Sequence, residues 1–330
     1  MELFKNCLFS IVVPIYNGEQ TLCKCLDSIF SQQLDDSLFE VICIDDCSTD
    51  ATSALLSSYI YNGLRPVNLF ICHLHENKKR GGACNRGVSL ARGRWIVYLD
   101  CDDYFLENGL VSLSNILLSH DHLDMLVYNY QNPFRSRCID NLSTKEMSGD
   151  EFIQTQPVPW VSWCYAFKRQ FLYNHKIKYE EKVYFEDCDY VISAILSAKR
   201  MQFIDESILF YSVYEGQTST INSVEKVEDL LKLTMRLKCL GEVYAEHKLP
   251  SAQAIWSHQW FQYFSILKRY LWRLPTGEVK RLLTQYKPYD EGRGWLRIVP
   301  KFPLSYVCLA FVMKPPLLIL SKFYRRYLKK

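Results

Sequence analysis

In the first part of the chain, short runs of apolar residues alternate with stretches in which apolar residues recur at helical spacing. The apolar runs, rich in β-branched residues, are typical of strands buried on both faces of a sheet. The periodic stretches between them predict amphipathic helices. The predicted strands are residues 8–15, 39–44, 67–74, 95–99 and 124–130. Strands that alternate with helices in this way indicate βαβ units, and we therefore expect an α/β fold with a mostly parallel sheet.

Two of the predicted strands run directly into acidic segments. Residues 45–50 follow one strand and residues 100–103 follow another, and each segment contains three aspartates. Because the carboxyl ends of parallel strands open on the same edge of a sheet, the two segments can meet in one crevice. A divalent cation, Mn²⁺ or Mg²⁺, bound together with a diphosphate is the natural occupant of such a site. The alternative is a solvated acidic turn that caps the following helix.

An aspartate in this crevice can also select a nucleotide base. A carboxylate accepts a hydrogen bond from an imide-type N–H, which uracil, thymine and guanine carry and adenine and cytosine lack. We therefore expect a uridine, thymidine or guanosine nucleotide, with uridine as the default. The sequence contains neither a P-loop nor a GxGxxG fingerprint, which weighs against a kinase, an ATPase or a dinucleotide enzyme.

Composition narrows the classes further. The net charge of +3 over 330 residues gives no electrostatic footprint for nucleic acid. The 13 cysteines are scattered without a CxxC pair, which favours packed thiols over a zinc site. The N-terminus leads almost directly into the first predicted strand and lacks the features of a signal peptide. We therefore expect a cytoplasmic protein in a reducing compartment.

The last third of the chain has a different pattern. From residue 224 onward the periodicity predicts helices, so we expect a helical extension over residues 221–330. Residues 304–320 are strongly apolar, but Lys314, Pro315 and Pro316 interrupt them, which argues against a membrane span. The basic and aromatic residues that follow are typical of a segment lying on the anionic inner face of the cell membrane. The alternative is a final helix packed on the protein with a solvated basic end.

Four motifs, in this order, resemble those of the family-2 inverting glycosyltransferases, which have the nucleotide-sugar-binding GT-A fold. They are SIVVPIYN at residues 10–17, VICIDDCSTD at 41–50, GGACNRG at 81–87 and YLDCDD at 98–103. Further similarity in WCYAF at 163–167, FED at 185–187 and ILFYSVY at 208–214 extends the resemblance over residues 8–220. The resemblance implies a GT-A catalytic domain over residues 1–220 and a role in adding a sugar to a cell-surface glycan, which can be lipid-linked.

The resemblance also implies a binding site for a nucleoside-diphosphate sugar donor. Asp46 would read the base and Asp45 would support the nucleoside pocket. The backbone of Pro14 and the loop around Tyr16 would form one wall of that pocket, although Tyr16 can equally pack in the core. Asn85 would also belong to the donor site.

The metal ligands follow from the same resemblance. Asp102 would bind the metal directly, and Asp100 would contact either the ribose or the metal. One position departs from the family pattern, because Cys84 stands where many members carry an arginine. Any phosphate contact of that arginine would need a substitute, for which Arg86 and the basic residues 78–80 are available.

The acceptor hydroxyl is too weakly acidic to attack alone, so a general base must take its proton. The resemblance implies that Asp187 is this base. Carboxylates are also favoured in the first turn of any helix, so the alternative is that Asp187 only stabilises a predicted helix. Glu186 would orient Asp187 or bind the acceptor, and Trp163 would either face the acceptor sugar or pack in the core. Attack from the face opposite the leaving group gives inversion.

Two other functions use a similar constellation. A nucleotidyltransferase also combines paired carboxylates, a metal and an α/β sheet, but it would need a basic phosphate-binding loop soon after the first strand. The corresponding loop here, residues 16–20, is acidic if anything. A non-catalytic nucleotide-sugar-binding protein would not need the aspartates at positions 100, 102 and 187, so their presence argues against it.

Overall fold

The structure is a computed structural model, and it describes residues 7–61, 68–214, 223–247, 249, 251–255 and 276–285. The chain divides into two compact units, Met1–Ser219 and Thr220–Lys330. Each unit is described separately below.

The described part of the first unit is built on one eight-stranded sheet. The strands, in chain order, are β1 (Phe9–Ile15), β2 (Phe39–Asp45), β3 (Leu69–His73), β4 (Trp95–Tyr98), β5 (Tyr104–Phe105), β6 (Met125–Gln131), β7 (Tyr165–Lys168) and β8 (Met201–Phe210). The helices are α1 (Leu22–Phe30), α2 (Thr52–Tyr61), α3 (Lys79–Leu90), α4 (Gly109–Ser119), α5 (Gly149–Thr155), α6 (Arg169–Asn174) and α7 (Glu186–Ser197). A short 3₁₀ turn over Ser162–Cys164 precedes β7.

Strand order in the sheet is β3-β2-β1-β4-β7-β6-β8-β5. The first four strands in this order, β3, β2, β1 and β4, pair in parallel, and β6 pairs in parallel with β8. Strand β7 is antiparallel to both β4 and β6, and β5 is antiparallel to β8. This arrangement confirms the predicted α/β fold with a mixed, mostly parallel sheet. The central strands β1, β2 and β4 are buried along their whole length, as their continuous apolar runs predict.

Two local features explain how the central strands fit together. Pro14 has no N–H, but β4 pairs with β1 only as far as Val12, so the proline lies beyond that ladder. Gly93, just before β4, is needed for close approach, because a Cβ there would lie 2.5 Å from the backbone carbon of Phe9. β4 therefore starts tight against the amino end of β1, and the carboxyl ends of both strands open on the same edge.

At the amino end of β2, the buried side chain of Glu40 forms a complete hydrogen-bond network. Its Oε1 accepts from the hydroxyl of Ser10 at 2.6 Å, and from the backbone N–H groups of Arg92 at 2.5 Å and Gly93 at 3.3 Å. Its Oε2 accepts from Nε and Nη2 of Arg92, each at 2.9 Å. The network joins β2 to the start of β1 and to the turn before β4.

The second unit contains, among the residues described, the helices α8 (Val224–Glu246) and α9 (Thr276–Gln285). Ser223 caps α8 by accepting a hydrogen bond from the N–H of Lys226, and Arg281 pairs with Glu228 at 3.6 Å. Both helices fall where the periodicity predicts them. The apolar and basic tail, residues 304–330, lies outside the described residues, so the expected membrane contact stays a prediction. No helix in the described ranges has the length and apolar character required to cross a membrane.

Candidate functional site

The two acidic segments lie at one edge of the sheet. Asp45 is the last residue of β2, and Asp100 follows β4 directly after Leu99. Strand β1 lies between them and pairs in parallel with both. The sheet topology therefore brings the segments to the same edge, on either side of β1, as expected from the sequence.

Asp45 and Asp46 are both buried, but their surroundings differ. Asp45 accepts a hydrogen bond from the N–H of Ser48 at 3.0 Å, and its Oδ2 lies 2.8 Å from Nδ1 of His73. Asp46 accepts from the N–H of Lys78 at 2.7 Å through Oδ1, whereas its buried Oδ2 has no hydrogen-bond partner among the described residues. Burial raises the pKa of Asp46 to about 6. An acceptor atom is thus left unsatisfied where the base reader is expected.

The three aspartates after β4 have separate partners. Asp102 accepts a hydrogen bond from the hydroxyl of Tyr214 at 3.0 Å, and Asp103 accepts from the N–H of Ser212 at 2.7 Å. Asp103 precedes the short strand β5 and therefore caps no helix. Its other oxygen is buried without a partner in the described ranges, and burial, together with Asp102 and Asp100, raises the pKa of Asp103 to about 9. Burial thus disfavours the charged form of Asp103.

Asp187 and Glu186 open α7, after Phe185 in a left-handed conformation with φ 61°. This backbone conformation is costly for a bulky residue and is typical of functional sites. Glu186 is buried, and burial, reinforced by the charge of Asp187, raises the pKa of Glu186 to about 7. Asp187 is half-buried and accepts from the N–H of Ser162 at 3.4 Å. The structure thus places both acids of the FED motif at a helix start, where a carboxylate is favoured.

Arg80, near the start of α3, connects these acids. Its Nε lies 2.6 Å from Asp100 Oδ1, and its Nη1 lies 2.9 Å from Asp187 Oδ1 and 3.6 Å from Glu186 Oε1. Its Nη2 donates to the hydroxyl of Ser162 at 3.3 Å. Asp100, predicted for the donor or metal, and Asp187, predicted as the general base, therefore share one guanidinium group.

From the sequence, Arg80 is only one of three basic candidates at residues 78–80. The sequence signal that singles out Arg80 is its spacing from Cys84, because residues four apart lie on the same face of a helix. Cys84 is buried close to Arg80, Asp100 and Asp187. Burial raises the pKa of its thiol, and the charges of these three residues also affect that pKa. Arg86, the other candidate, is exposed.

Two predicted site residues are held by contacts within the fold. Trp163 is 4% exposed, stacks on Tyr211 with ring centroids 5.1 Å apart and meets the ring of Tyr130 edge-on at 4.6 Å. Its indole packs among these rings, as in the core-packing alternative, and its acceptor role stays a prediction. Asn85 donates to the carbonyl of Tyr179 at 3.0 Å and accepts from its N–H at 3.0 Å. Both ends of the amide are used within the fold, and the predicted donor contact stays a prediction.

The residues predicted to form the wall of the base pocket lie at the carboxyl end of β1. The side chain of Tyr16 is 51% exposed, which excludes the alternative that it packs in the core. The carbonyl of Ile15 accepts from the N–H of Asp46 at 2.8 Å, so the end of β1, including Pro14, is fixed beside the acidic segment.

The described residues contain no group of three or more histidine, cysteine, aspartate or glutamate side chains placed to hold a metal ion. Mg²⁺ and related cations usually take one or two protein carboxylates together with phosphate oxygens. Asp102, with Asp100 close by in sequence, fits a cation of this kind that arrives with its diphosphate.

Comparison with known proteins identifies the family and the fold. The model of the family described as Glycosyl transferase family 2 matches residues 10–180. The poly(ribitol-phosphate) beta-glucosyltransferase of Bacillus spizizenii is 27% identical over 207 residues, which are 62% of this chain and 32% of that protein. The poly(ribitol-phosphate) beta-N-acetylglucosaminyltransferase TarS of Staphylococcus aureus is 25% identical over 232 residues, 68% of this chain and 39% of that protein. The match thus spans less than half of either relative.

Among solved structures, residues 1–349 of S. aureus TarS in complex with UDP-GlcNAc match with a TM-score of 0.59 and 21% identity, covering 85% of this chain and 87% of that one. The mannosyltransferase PcManGT from Pyrobaculum calidifontis, in complex with GDP-Man and Mn²⁺, matches with a TM-score of 0.51 and 16% identity, covering 92% and 86%. At these identities the similarity establishes the fold, which is the GT-A fold.

Proposed function

The chain belongs to glycosyl transferase family 2, and we propose that it transfers a sugar from a nucleoside-diphosphate sugar, most simply a UDP-sugar, to a hydroxyl group of a glycan or lipid-linked glycan, with inversion. The observation that carries the proposal is the shared guanidinium of Arg80, which contacts Asp100 on the donor side and Asp187 on the base side. The uridine donor is supported by the UDP-GlcNAc bound to TarS.

In this proposal the nucleotide binds at the ends of β1 and β2. The unsatisfied Oδ2 of Asp46 supplies the acceptor that an imide N–H of uracil requires. Asp45, held by His73 and Ser48, stabilises the turn beneath the nucleoside. The backbone around Pro14 and the exposed ring of Tyr16 form the adjoining wall.

The diphosphate lies over Asp100 and Asp102, which would hold Mn²⁺ or Mg²⁺ with the phosphate oxygens. The ion would stabilise the charge that develops on the departing diphosphate. Asp187 accepts the proton of the acceptor hydroxyl as the new bond forms, and the buried Glu186 helps to orient it. Attack opposite the leaving group inverts the anomeric carbon. The acceptor class follows the relatives, whose names describe transfer to poly(ribitol-phosphate).

We assign catalysis to residues 1–220, a range that extends one residue beyond the first unit, and regard residues 221–330 as a helical extension. A peripheral contact of its tail with an anionic membrane would suit a lipid-linked acceptor. This part of the proposal is tested separately, by comparing binding of the full chain and of a chain ending at residue 320 to anionic vesicles.

The central test is calorimetric binding of UDP, GDP and dTDP, each with and without Mn²⁺. We expect one nucleotide, UDP, to bind in a metal-dependent manner, and the Asp102→Ala variant to lose this binding. Glu107→Ala removes an exposed carboxylate before α4 and serves as the control that keeps it. Absence of binding by folded protein would contradict the proposal. Release of pyrophosphate from a nucleoside triphosphate would instead support a nucleotidyltransferase.

A further inference from the structure

Arg80 occupies an unusual position for a surface-helix residue. Its side chain is only 20% exposed, and its three nitrogens contact Asp100, Asp187 and Ser162 at 2.6, 2.9 and 3.3 Å. Asp100 belongs to the segment after β4, whereas Asp187 belongs to α7. The two carboxylates are therefore far apart in sequence, and the tertiary structure brings both of them to Arg80. A planar guanidinium can hold two carboxylates in a fixed geometry, which a lysine ammonium cannot do.

The backbone before Arg80 is fixed to the nucleotide side of the site. The N–H of Lys78 donates to Asp46 at 2.7 Å, and Lys79 adopts a left-handed conformation with φ 57°. Because Lys79 is not a glycine, this conformation persists only where the surroundings enforce it. The start of α3 is therefore set by its contact with the residue expected to read the base.

The same segment also contacts residues 181–185, which lead to Asp187 at the start of α7. The N–H of Lys182 donates to the carbonyl of Lys78 at 3.0 Å, and the ammonium of Lys79 lies 3.7 Å from the ring centroid of Tyr184. Lys78 pairs with Glu181 at 3.2 Å. Residues 78–80 thus contact residues 181–187 at several successive points, and Arg80 is the last of these contacts.

We propose that Arg80 is a positioning residue that holds Asp187 at a fixed place relative to Asp100 and the donor, an inference that rests on the proposed glycosyltransferase function. The base must lie within hydrogen-bonding reach of the acceptor hydroxyl while the donor is bound above Asp100. A displacement of about 1 Å can cost about 100-fold in rate. Arg80 sets this distance because its rigid fork contacts both carboxylates.

The test separates positioning from donor binding by measuring kcat and nucleotide affinity in the same variants. We expect Arg80→Ala to lower kcat by about 100-fold and Arg80→Lys by about 10-fold, with the Kd of UDP within about threefold of the wild-type value. Arg94→Lys, a matched change at an ion-paired arginine at the amino end of β4, leaves both quantities unchanged. Guanidinium ion at non-denaturing concentration should restore part of the kcat of Arg80→Ala.

Two results would overturn the inference. One is a loss of UDP affinity that accounts for the whole loss of kcat/KM, which would make Arg80 a donor ligand. The other is full kcat in Arg80→Lys.

A double-mutant cycle in urea unfolding tests the contact without using activity. Arg80→Lys and Asp187→Ala should have non-additive effects on the free energy of unfolding, whereas additive effects would show that the two side chains do not interact. If the wild-type protein transfers no sugar, the proposed function fails, while the cycle still decides whether Arg80 positions Asp187.

Discussion

Glu40 and Asp46 are buried carboxylates at opposite ends of β2, and their hydrogen bonding differs. Both oxygens of Glu40 are paired, through Ser10, Gly93 and the guanidinium and N–H of Arg92. Asp46 accepts from the N–H of Lys78 on Oδ1, and its Oδ2 is buried without a hydrogen-bond partner among the described residues. The same sheet therefore satisfies a buried carboxylate completely at its amino edge and incompletely at its carboxyl edge.

The difference separates structural from functional carboxylates. A buried acceptor that lacks a partner costs about 1–3 kcal/mol, so a fold retains one only where a ligand supplies the missing donor or where strain serves a purpose. At the carboxyl edge, Asp103 also has one buried oxygen without a partner among the described residues, and Asp100 and Asp187 share a single guanidinium. We infer that substrate completes these carboxylates, whereas Glu40 is complete without one. The contrast concerns carboxylates alone, because Asn68 Oδ1 and Trp95 Nε1, at the amino ends of β3 and β4, are also buried without a partner among the described residues.

The largest effect that the comparison predicts is on catalysis. Asp187→Asn preserves the shape of the side chain and one oxygen for Arg80 but removes its ability to accept a proton. We expect kcat to fall by about 10²–10⁴-fold, as for other general bases, with the Kd of UDP and the free energy of unfolding little changed. Steady-state transfer assays and urea unfolding measure these quantities.

Asp189→Asn is the matched control, because Asp189 lies in the same first turn of α7. It should keep most of its kcat. Full activity in Asp187→Asn with donor still bound would show that another residue is the base, and that Asp187 only stabilises the helix start.

The next effect is on stability and arises at the amino edge. Glu40→Gln is isosteric, but its amide group would direct N–H atoms towards donors that now face a carboxylate. We expect the free energy of unfolding to fall by about 2–3 kcal/mol, with the loss limited because Arg92 is 43% exposed and can be rehydrated. The Kd of UDP should not change.

Ser10→Ala removes one donor from the Glu40 network and should cost about 1 kcal/mol. A Glu40→Gln variant as stable as the wild type would mean that the pairing at the amino edge adds no net stability, and the contrast between the two edges would then fail.

We expect Asp46 to make the free energy of unfolding depend on pH, and the Glu40→Gln substitution should leave this dependence unchanged. Its pKa of about 6 in the folded protein is higher than the usual value of 3.8, so the folded state binds the proton more tightly than the unfolded state. Stability from this group is therefore greatest below about pH 4 and is lost as the pH rises to about 6. Asp46→Asn should reduce the fall in unfolding free energy between pH 4 and pH 7 by on the order of 2 kcal/mol.

Urea unfolding at several pH values measures this slope, with Asp35→Asn as an exposed control. An unchanged slope in Asp46→Asn would show that Asp46 is charged in the folded protein at low pH, and that its second oxygen has a partner in solution.

The gathering of Asp46, Asp100 and Asp102 at one edge could be predicted because the apolar runs define where parallel strands end. The packing of Trp163 could not be predicted, because an aromatic residue at strand spacing suits a core and a sugar platform equally, and its stacking on Tyr211 depends on the tertiary fold. The contacts of Arg80 could not be predicted for another reason. Its reach depends on the left-handed backbone of Lys79, which no glycine marks in the sequence.

Asn85 offers the smallest and most specific check on what a motif alone can reveal. It lies within a motif that resembles a donor-binding segment, yet its amide pairs at both ends with the backbone of Tyr179. Asn85→Ala should lower the free energy of unfolding by about 1 kcal/mol, since the two lost hydrogen bonds are partly offset by the better helix propensity of alanine. The Kd of UDP should stay at the wild-type value.

Ser89→Ala, one turn further along the exposed side of α3, is the control for the change in helix propensity. Weaker UDP binding in Asn85→Ala, with the free energy of unfolding unaffected, would support the predicted contact of Asn85 with the donor. The opposite result would show that part of the motif stabilises the contact between α3 and the segment before α7. That contact also holds Arg80 in place, so a residue with no substrate contact would still contribute to the geometry of the site.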